Sequence, residues 1–199
     1  GAAPTINAGS GNDVINVGSL APATGVNVNA IGALLTINGE GNSDTLNVDD
    51  SGDVNANNGT LTNNSLTGLG MLQGIAYGTI ETLNIALGAQ GDTFSILSTH
   101  LGATHLDTGA GADSVTLAAN SGGTDIDTGT ENDTVTVTSN GATTTIMTGA
   151  GSDVINIRAI NAAATVNAGS GNDTINIGSS APASGGNVNS IGALLTISG

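Results

Sequence analysis

Cysteine, tryptophan and lysine are missing from this sequence, and Arg158, Tyr77 and Phe94 each stand alone in their class. Without cysteine there is neither a disulfide framework nor a thiolate for catalysis or metal binding. With one arginine against a formal charge of −15, the chain has no basic surface for nucleic acid or for an anionic membrane. So few large apolar groups do not fill an ordinary globular core of 199 residues. The sequence shows no signal peptide and no apolar run long enough to cross a membrane, so membrane insertion is not expected and any export signal lies outside it.

The same absences weigh against an enzyme. A polysaccharide lyase needs basic residues for acidic sugars and aromatic rings for stacking, and this chain has almost none of either. Serine and threonine are scattered, and His100 and His105 have no arranged partners for a nucleophile and base. Two histidines without cysteine or a carboxylate pattern read as surface residues rather than a transition-metal site. No catalytic residue is assigned.

Glycine, alanine, asparagine, threonine and serine make up the bulk, yet valine, isoleucine and leucine recur in strict alternation, which a disordered chain would not keep. The stretch Asn167-Ala168-Gly169-Ser170-Gly171-Asn172-Asp173-Thr174-Ile175-Asn176-Ile177 shows the unit. Two glycines form a turn, Asp173 places a carboxylate at its exit, and Ile175 and Ile177 alternate with polar residues as in a strand with one buried face. Versions of this turn put aspartates at positions 13, 44, 92, 113, 133, 153 and 173, with spacings of 31, 48, 21, 20, 20 and 20. A second short strand centred on Leu106, Ile126, Ile146 and Val166 keeps the same 20-residue step. A period near 20 predicts an all-β solenoid in which each coil of two strands and two turns buries its apolar face on its neighbours. Leu106, Ile126, Ile146 and Val166 are expected in one interior column, with Val115, Val135, Ile155 and Ile175 in another.

The N-terminal half is less regular. Residues 18–33 interrupt the rhythm and predict a surface loop or a widened coil, and the turn Gly39-Glu40-Gly41-Asn42-Ser43-Asp44 carries one extra residue. Residues 45–91 leave room for two coils of roughly 24 residues. A longer period overlies the short one: residues 1–39 align without gaps on 161–199, with 29 of 39 positions identical. The chain therefore reads as one long unit, 1–160, and the start of the next copy, 161–199. The expected partners are further copies of the unit, end to end, as a tandem array or fibre.

The pattern x-G-x-G-x-D followed by alternating aliphatics resembles the calcium-binding nonapeptide of the repeats-in-toxin (RTX) proteins. The resemblance implies a right-handed parallel β-roll, with Ca²⁺ between turns of neighbouring coils, held by aspartates and by carbonyls of the glycine turns. Carried over by position, the ligands are Asp113, Asp133, Asp153 and Asp173, with carbonyls near Gly109, Gly111, Gly129, Gly149, Gly151, Gly169 and Gly171. Glu131 replaces a glycine and offers a further oxygen, and Asp13 with Gly9 and Gly11 belongs to the next such ladder. One motif per coil implies that the calcium sites line one edge rather than both, with Asp153 mattering more than Asp53. Asp49, Asp50 and Asp53 read equally as a solvated acidic loop or an extra calcium site.

Hard oxygen ligands on turns suit Ca²⁺, and weak sites fill at millimolar extracellular calcium. Stacked turn carboxylates about 5 Å apart repel by about 1 kcal/mol per pair even in water, so an unneutralised column is unfavourable. The competing reading is a set of Asx-type turns that needs no metal. The function expected is a non-catalytic, calcium-stabilised structural repeat of a long rod, fibre or adhesin, extracellular or at the cell surface, its adhesive target unspecified. The alternative is a calcium-dependent ice- or carbohydrate-binding solenoid. Some RTX-like adhesins present turn threonines to ice, but the corresponding positions here are Ser10, Ala110, Thr130, Ala150 and Ser170.

Overall fold

A computed structural model describes residues 3–199, all in strands, turns and loops without a helix. The chain is an all-β parallel solenoid, because short strands with one apolar face alternate between two long sheets. In spatial order the ten-stranded sheet holds Thr5–Ser10, Leu35–Gly41, Ile75–Gly78, Ser65–Gly68, Asn58–Leu61, Thr93–Ile96, Ser114–Leu117, Thr134–Val137, Val154–Ile157 and Thr174–Ile177. The eight-stranded sheet holds Val14–Val17, Thr45–Asp49, Thr82–Ala86, Ala103–Asp107, Thr124–Asp127, Thr144–Met147, Ala164–Asn167 and Leu195–Ser198.

Register follows the apolar pattern, since a slip of one residue would turn every isoleucine outward. Leu106, Ile126, Ile146 and Val166 are consecutive parallel partners and are 0–2% exposed. Val115, Val135 and Ile155 form the second expected column at 0–1% exposure, and Ile175 ends it half-buried. A third column is polar: Thr104, Thr124 and Thr144 stack inside. Thr124 and Thr144 satisfy their hydroxyls on the carbonyls of Gly122 and Ala142 in their own turns, at 3.1 and 3.2 Å. Thr124 and Thr144 thus fill interior space with a methyl while their one polar atom stays paired, whereas the buried hydroxyl of Thr104 has no partner.

The irregular stretch differs from the two coils of about 24 residues that its length allows. Asn58–Leu61, Ser65–Gly68 and Ile75–Gly78 form an antiparallel meander lying wholly in the ten-stranded sheet. Its outer strands pair in parallel with Thr93–Ile96 and Leu35–Gly41. The chain passes once through each sheet in going from Asp13 to Asp44, but from Asp44 to Asp92 it makes three passes, the meander counting as one. Four regular coils lead on to Asp173, so Asp13 and Asp173 are six and a half coils apart rather than a whole number.

That half coil changes the phase of the long repeat. The turn at residues 9–13 leads from the ten-stranded to the eight-stranded sheet, whereas the same sequence at 169–173 leads back the other way. The two copies keep the same internal pairing, Thr5 with Thr36 and Thr165 with Thr196.

Candidate functional site

Every motif aspartate except Asp13 accepts a backbone hydrogen bond from the neighbouring coil. In the long ladder, the N–H groups of Asn57, Asp92, Asp113, Asp133 and Asp153 donate to Oδ1 of Asp92, Asp113, Asp133, Asp153 and Asp173, at 2.6–3.0 Å. A separate short ladder runs from the N–H of Asp13 to Oδ1 of Asp44 (2.8 Å) and from the N–H of Asp44 to Oε2 of Glu81 (2.7 Å). The odd number of sheet passes between Asp44 and Asp92 puts these ladders on opposite edges of the solenoid. The expectation that the motif turns line one edge is therefore corrected. Both sheets present the same alternation of apolar residues, so the sequence does not reveal which edge a turn occupies.

Asp44, Asp92, Asp113, Asp133 and Asp153 are no more than 2% exposed. Among the described residues, the buried Oδ2 atoms of Asp13, Asp44, Asp92, Asp133 and Asp153 have no hydrogen-bond partner. The exception in mid-ladder is Asp113, whose Oδ2 accepts the hydroxyl of Thr108. Burial pushes the carboxyls of Asp113 and Asp133 up to about 6, against the pull of the hydrogen bonds they accept and with the help of neighbouring charge. Asp92 is raised for the same reason.

The glycines form a second ladder beside the first. The carbonyls of Gly109, Gly129 and Gly149 accept N–H groups of Thr130, Ala150 and Ser170, one coil on, at 3.3, 3.0 and 2.8 Å. Gly149 has φ +77° and a Cβ there would lie 1.9 Å from the oxygen of Gly129, so no other residue fits. These carbonyls retain a second lone pair, and a Cβ on Gly151 would come within 2.9 Å of the Asp153 carboxylate. Gly111, Gly151 and Gly171 stack at the second turn position, with Glu131 between the first two. Gly9, Gly11 and Asp13 sit on the other edge. Glu131 tolerates φ 77° and is exposed, with its Oε2 accepting the N–H of Gly111 at 2.9 Å and the hydroxyl of Thr130 at 2.7 Å. Those two bonds hold its carboxyl below its ordinary value and tie one turn to the next.

The acidic loop is buried at two of its three aspartates, half-buried at Asp49 and exposed at Ser51. Asp50 and Asp53 are 0% and 4% exposed. Asp50 accepts the N–H of Val28 at 3.0 Å, leaves Oδ2 unpartnered, and is pushed up by burial to about 7. For Asp53 burial is outweighed by the donors of Asn57, Asn29 and Asn55, which bring it down to about 2. Asp49 is spent locally on the N–H and hydroxyl of Ser51. His105 pairs with Asp125 at 2.9 Å on the outer face, and His100 lies half-buried, edge-on to the Tyr77 ring at 5.9 Å. Among the described residues no three His, Cys, Asp or Glu side chains gather as a metal-binding group. A cation in a ladder would take one carboxylate per coil together with carbonyls.

One set of residues escaped the sequence reading. On the edge opposite the long ladder, buried Asn140 accepts the N–H groups of Asn161 and Ala162 at 2.9 and 3.3 Å, and Asn120 does the same for Gly141 and Ala142 at 2.9 and 3.2 Å. Their 20-residue spacing was the available signal. No helix of the described residues is long and apolar enough to cross a membrane. No family model, curated protein or solved structure matches the chain.

Proposed function

We propose that the chain is a non-catalytic structural repeat of a long extracellular rod, fibre or adhesin, stabilised by calcium bound along its aspartate ladders. The observation that carries this reading is the stack of buried, unpartnered Oδ2 atoms in a chain whose one permanent cation is Arg158. Arg158 donates its Nε–H to the carbonyl of Ala181. An unpaired buried carboxylate is costly, so each rung calls for either a proton or a metal ion.

The donor set fits a hard cation: carboxylate oxygens backed by carbonyls on turns, with no sulfur and no imidazole. Asp92, Asp113, Asp133, Asp153 and Asp173, with carbonyls of Gly109, Gly129, Gly149 and Gly169, would hold it on one edge, and Asp13 and Asp44 on the other. When bound, calcium supplies charge neutralisation and cross-links adjacent coils. The residues themselves fix register, because each Oδ1 already joins one coil to the next. Lack of cysteine and the millimolar calcium needed for such weak sites fit the extracellular space or cell surface. Melting in chelator and in millimolar Ca²⁺ tests the reading, with a higher melting temperature in calcium expected.

A further inference from the structure

Residues 3–39 and 163–199 are two copies of one wide coil, each seen with a different face covered. The second copy has a coil before it and exposes its far side: Ile177, Val188 and Ile197 are 41%, 60% and 43% exposed, while their counterparts Val17, Val28 and Ile37 are 8%, 1% and 0%. The first copy shows the reverse, since Ile6 is 38% exposed and its counterpart Val166 is 0%. On that open side lies an apolar pocket of about 250 Å³, walled by Ile6, Val17, Val28, Ile31 and Leu35.

In the second copy the matching ground is taken by Ile160. Fully buried, it forms a parallel bridge with Ile191, donates its N–H to the carbonyl of Ser190 at 3.0 Å, and accepts the N–H of Gly192 at 2.8 Å. Position 160 breaks the rule of its column. One and two coils earlier the same place holds Asn140 and Asn120, which clamp the next narrow turn. Isoleucine stands where a wide coil follows, so its side chain matches the apolar floor of that coil rather than a turn of N–H groups.

We propose that the N-terminal face is the docking surface for the end of a preceding copy of this unit, residues 141–160, which seats its Ile160 beside Ile31. This rests on the reading of the chain as a repeat of a rod and defines the joint. Because the two wide coils are half a coil out of phase, the docked strand 144–147 joins the ten-stranded sheet, although its counterpart within the chain belongs to the eight-stranded one. Its Ile146 then meets Ile6 as Ile146 meets Val166, and its Asp153 N–H donates to Asp13 as Asp153 donates to Asp173. Successive units therefore alternate by half a coil, and each long ladder crosses the joint unbroken to Asp44 and Glu81 of the next unit.

The test is a fusion protein in which a copy of residues 121–160 precedes Gly1. The melting temperature should rise by about 3 °C or more, and the outer-edge amides of Thr5–Ser10 should become slow to exchange. Replacing the added Ile160 by Asn should remove most of the gain. An unchanged melting temperature with fast exchange at Thr5–Ser10, or a gain that survives Ile160→Asn, would overturn the proposal. Both readouts come from a single chain without filaments or added calcium, so they fail or succeed independently of the rod reading.

Discussion

The backbone N–H of Asp133 donates to Oδ1 of Asp153 at 2.9 Å, one coil on, and Oδ2 of the same carboxyl is buried with no partner. One oxygen joins one coil to the next, and the other is left without a hydrogen bond. A substitution that keeps the first and removes the charge separates the two roles.

Asp153→Asn retains an oxygen for the Asp133 N–H and deletes a buried charge. In chelator its melting temperature should equal or exceed that of the parent, and its gain on adding calcium should shrink. Asp53→Asn behaves differently, because Asp53 holds the amides of Asn29, Asn55 and Asn57. Turning an acceptor into a donor there should cost about 2 kcal/mol in either condition. Metal-free, the order of the two is thus the reverse of what regularity of the turns suggests. Parallel melting curves of both variants, with and without calcium, check this.

Stability without metal should rise as pH falls from about 8. Asp113 and Asp133 sit at about 6 and Asp50 at about 7 in the folded chain, above the ordinary 3.8, so the folded state binds protons that the unfolded state does not. The gain accrues as pH drops through these values and stops near 3.8, where the unfolded carboxyls also protonate. Asp53 has the opposite sign: its contribution is present above 3.8 and is lost as pH falls towards about 2. On the proposed reading protons and calcium compete for the same oxygens, so any stabilisation by calcium should weaken towards pH 5. Urea midpoints across pH in chelator and in calcium would show both trends.

The interior columns make a sharper demand on packing. Ile126 is fully buried between Leu106 and Ile146, so Ile126→Ala should cost about 2–5 kcal/mol. Leu101 is 87% exposed, and Leu101→Ala should change stability by less than about 0.5 kcal/mol. Chemical denaturation of the two variants compares them directly.

Gly149→Ala tests the glycine ladder. A methyl group would meet the Gly129 oxygen at 1.9 Å in a backbone with φ +77°, so the turn must shift and the Ala150 to Gly129 hydrogen bond of 3.0 Å is strained. A loss of at least about 1–3 kcal/mol is expected, with faster amide exchange at Ala150.

Much of this architecture was legible because every regular coil repeats one local rule: glycine turn, aspartate, then apolar residues two apart. Those rules place Ile126 and Val135 in their columns with no knowledge of distant contacts. They say nothing about parity. Leu66 and Ile75 alternate like any other strand residues, yet they belong to an antiparallel meander confined to one sheet, and that detour moves Asp13 and Asp44 to the opposite edge from Asp92 onward. The burial of Asp50 was equally hidden, since it arises from residues 25–28 of the wide coil folding over the loop, where Gly52 N–H reaches the Val26 carbonyl at 2.7 Å. Asn120 and Asn140 carried a visible spacing but no chemistry that singles out a turn clamp.

Calcium dependence of folding bears most directly on the central claim. Thermal melting of the chain at pH 7.5, in chelator and then in millimolar Ca²⁺, should give a melting temperature higher in calcium by more than about 5 °C, with magnesium much less effective. Identical curves in chelator and calcium would contradict the account and leave the aspartate ladders as a metal-free hydrogen-bonding device.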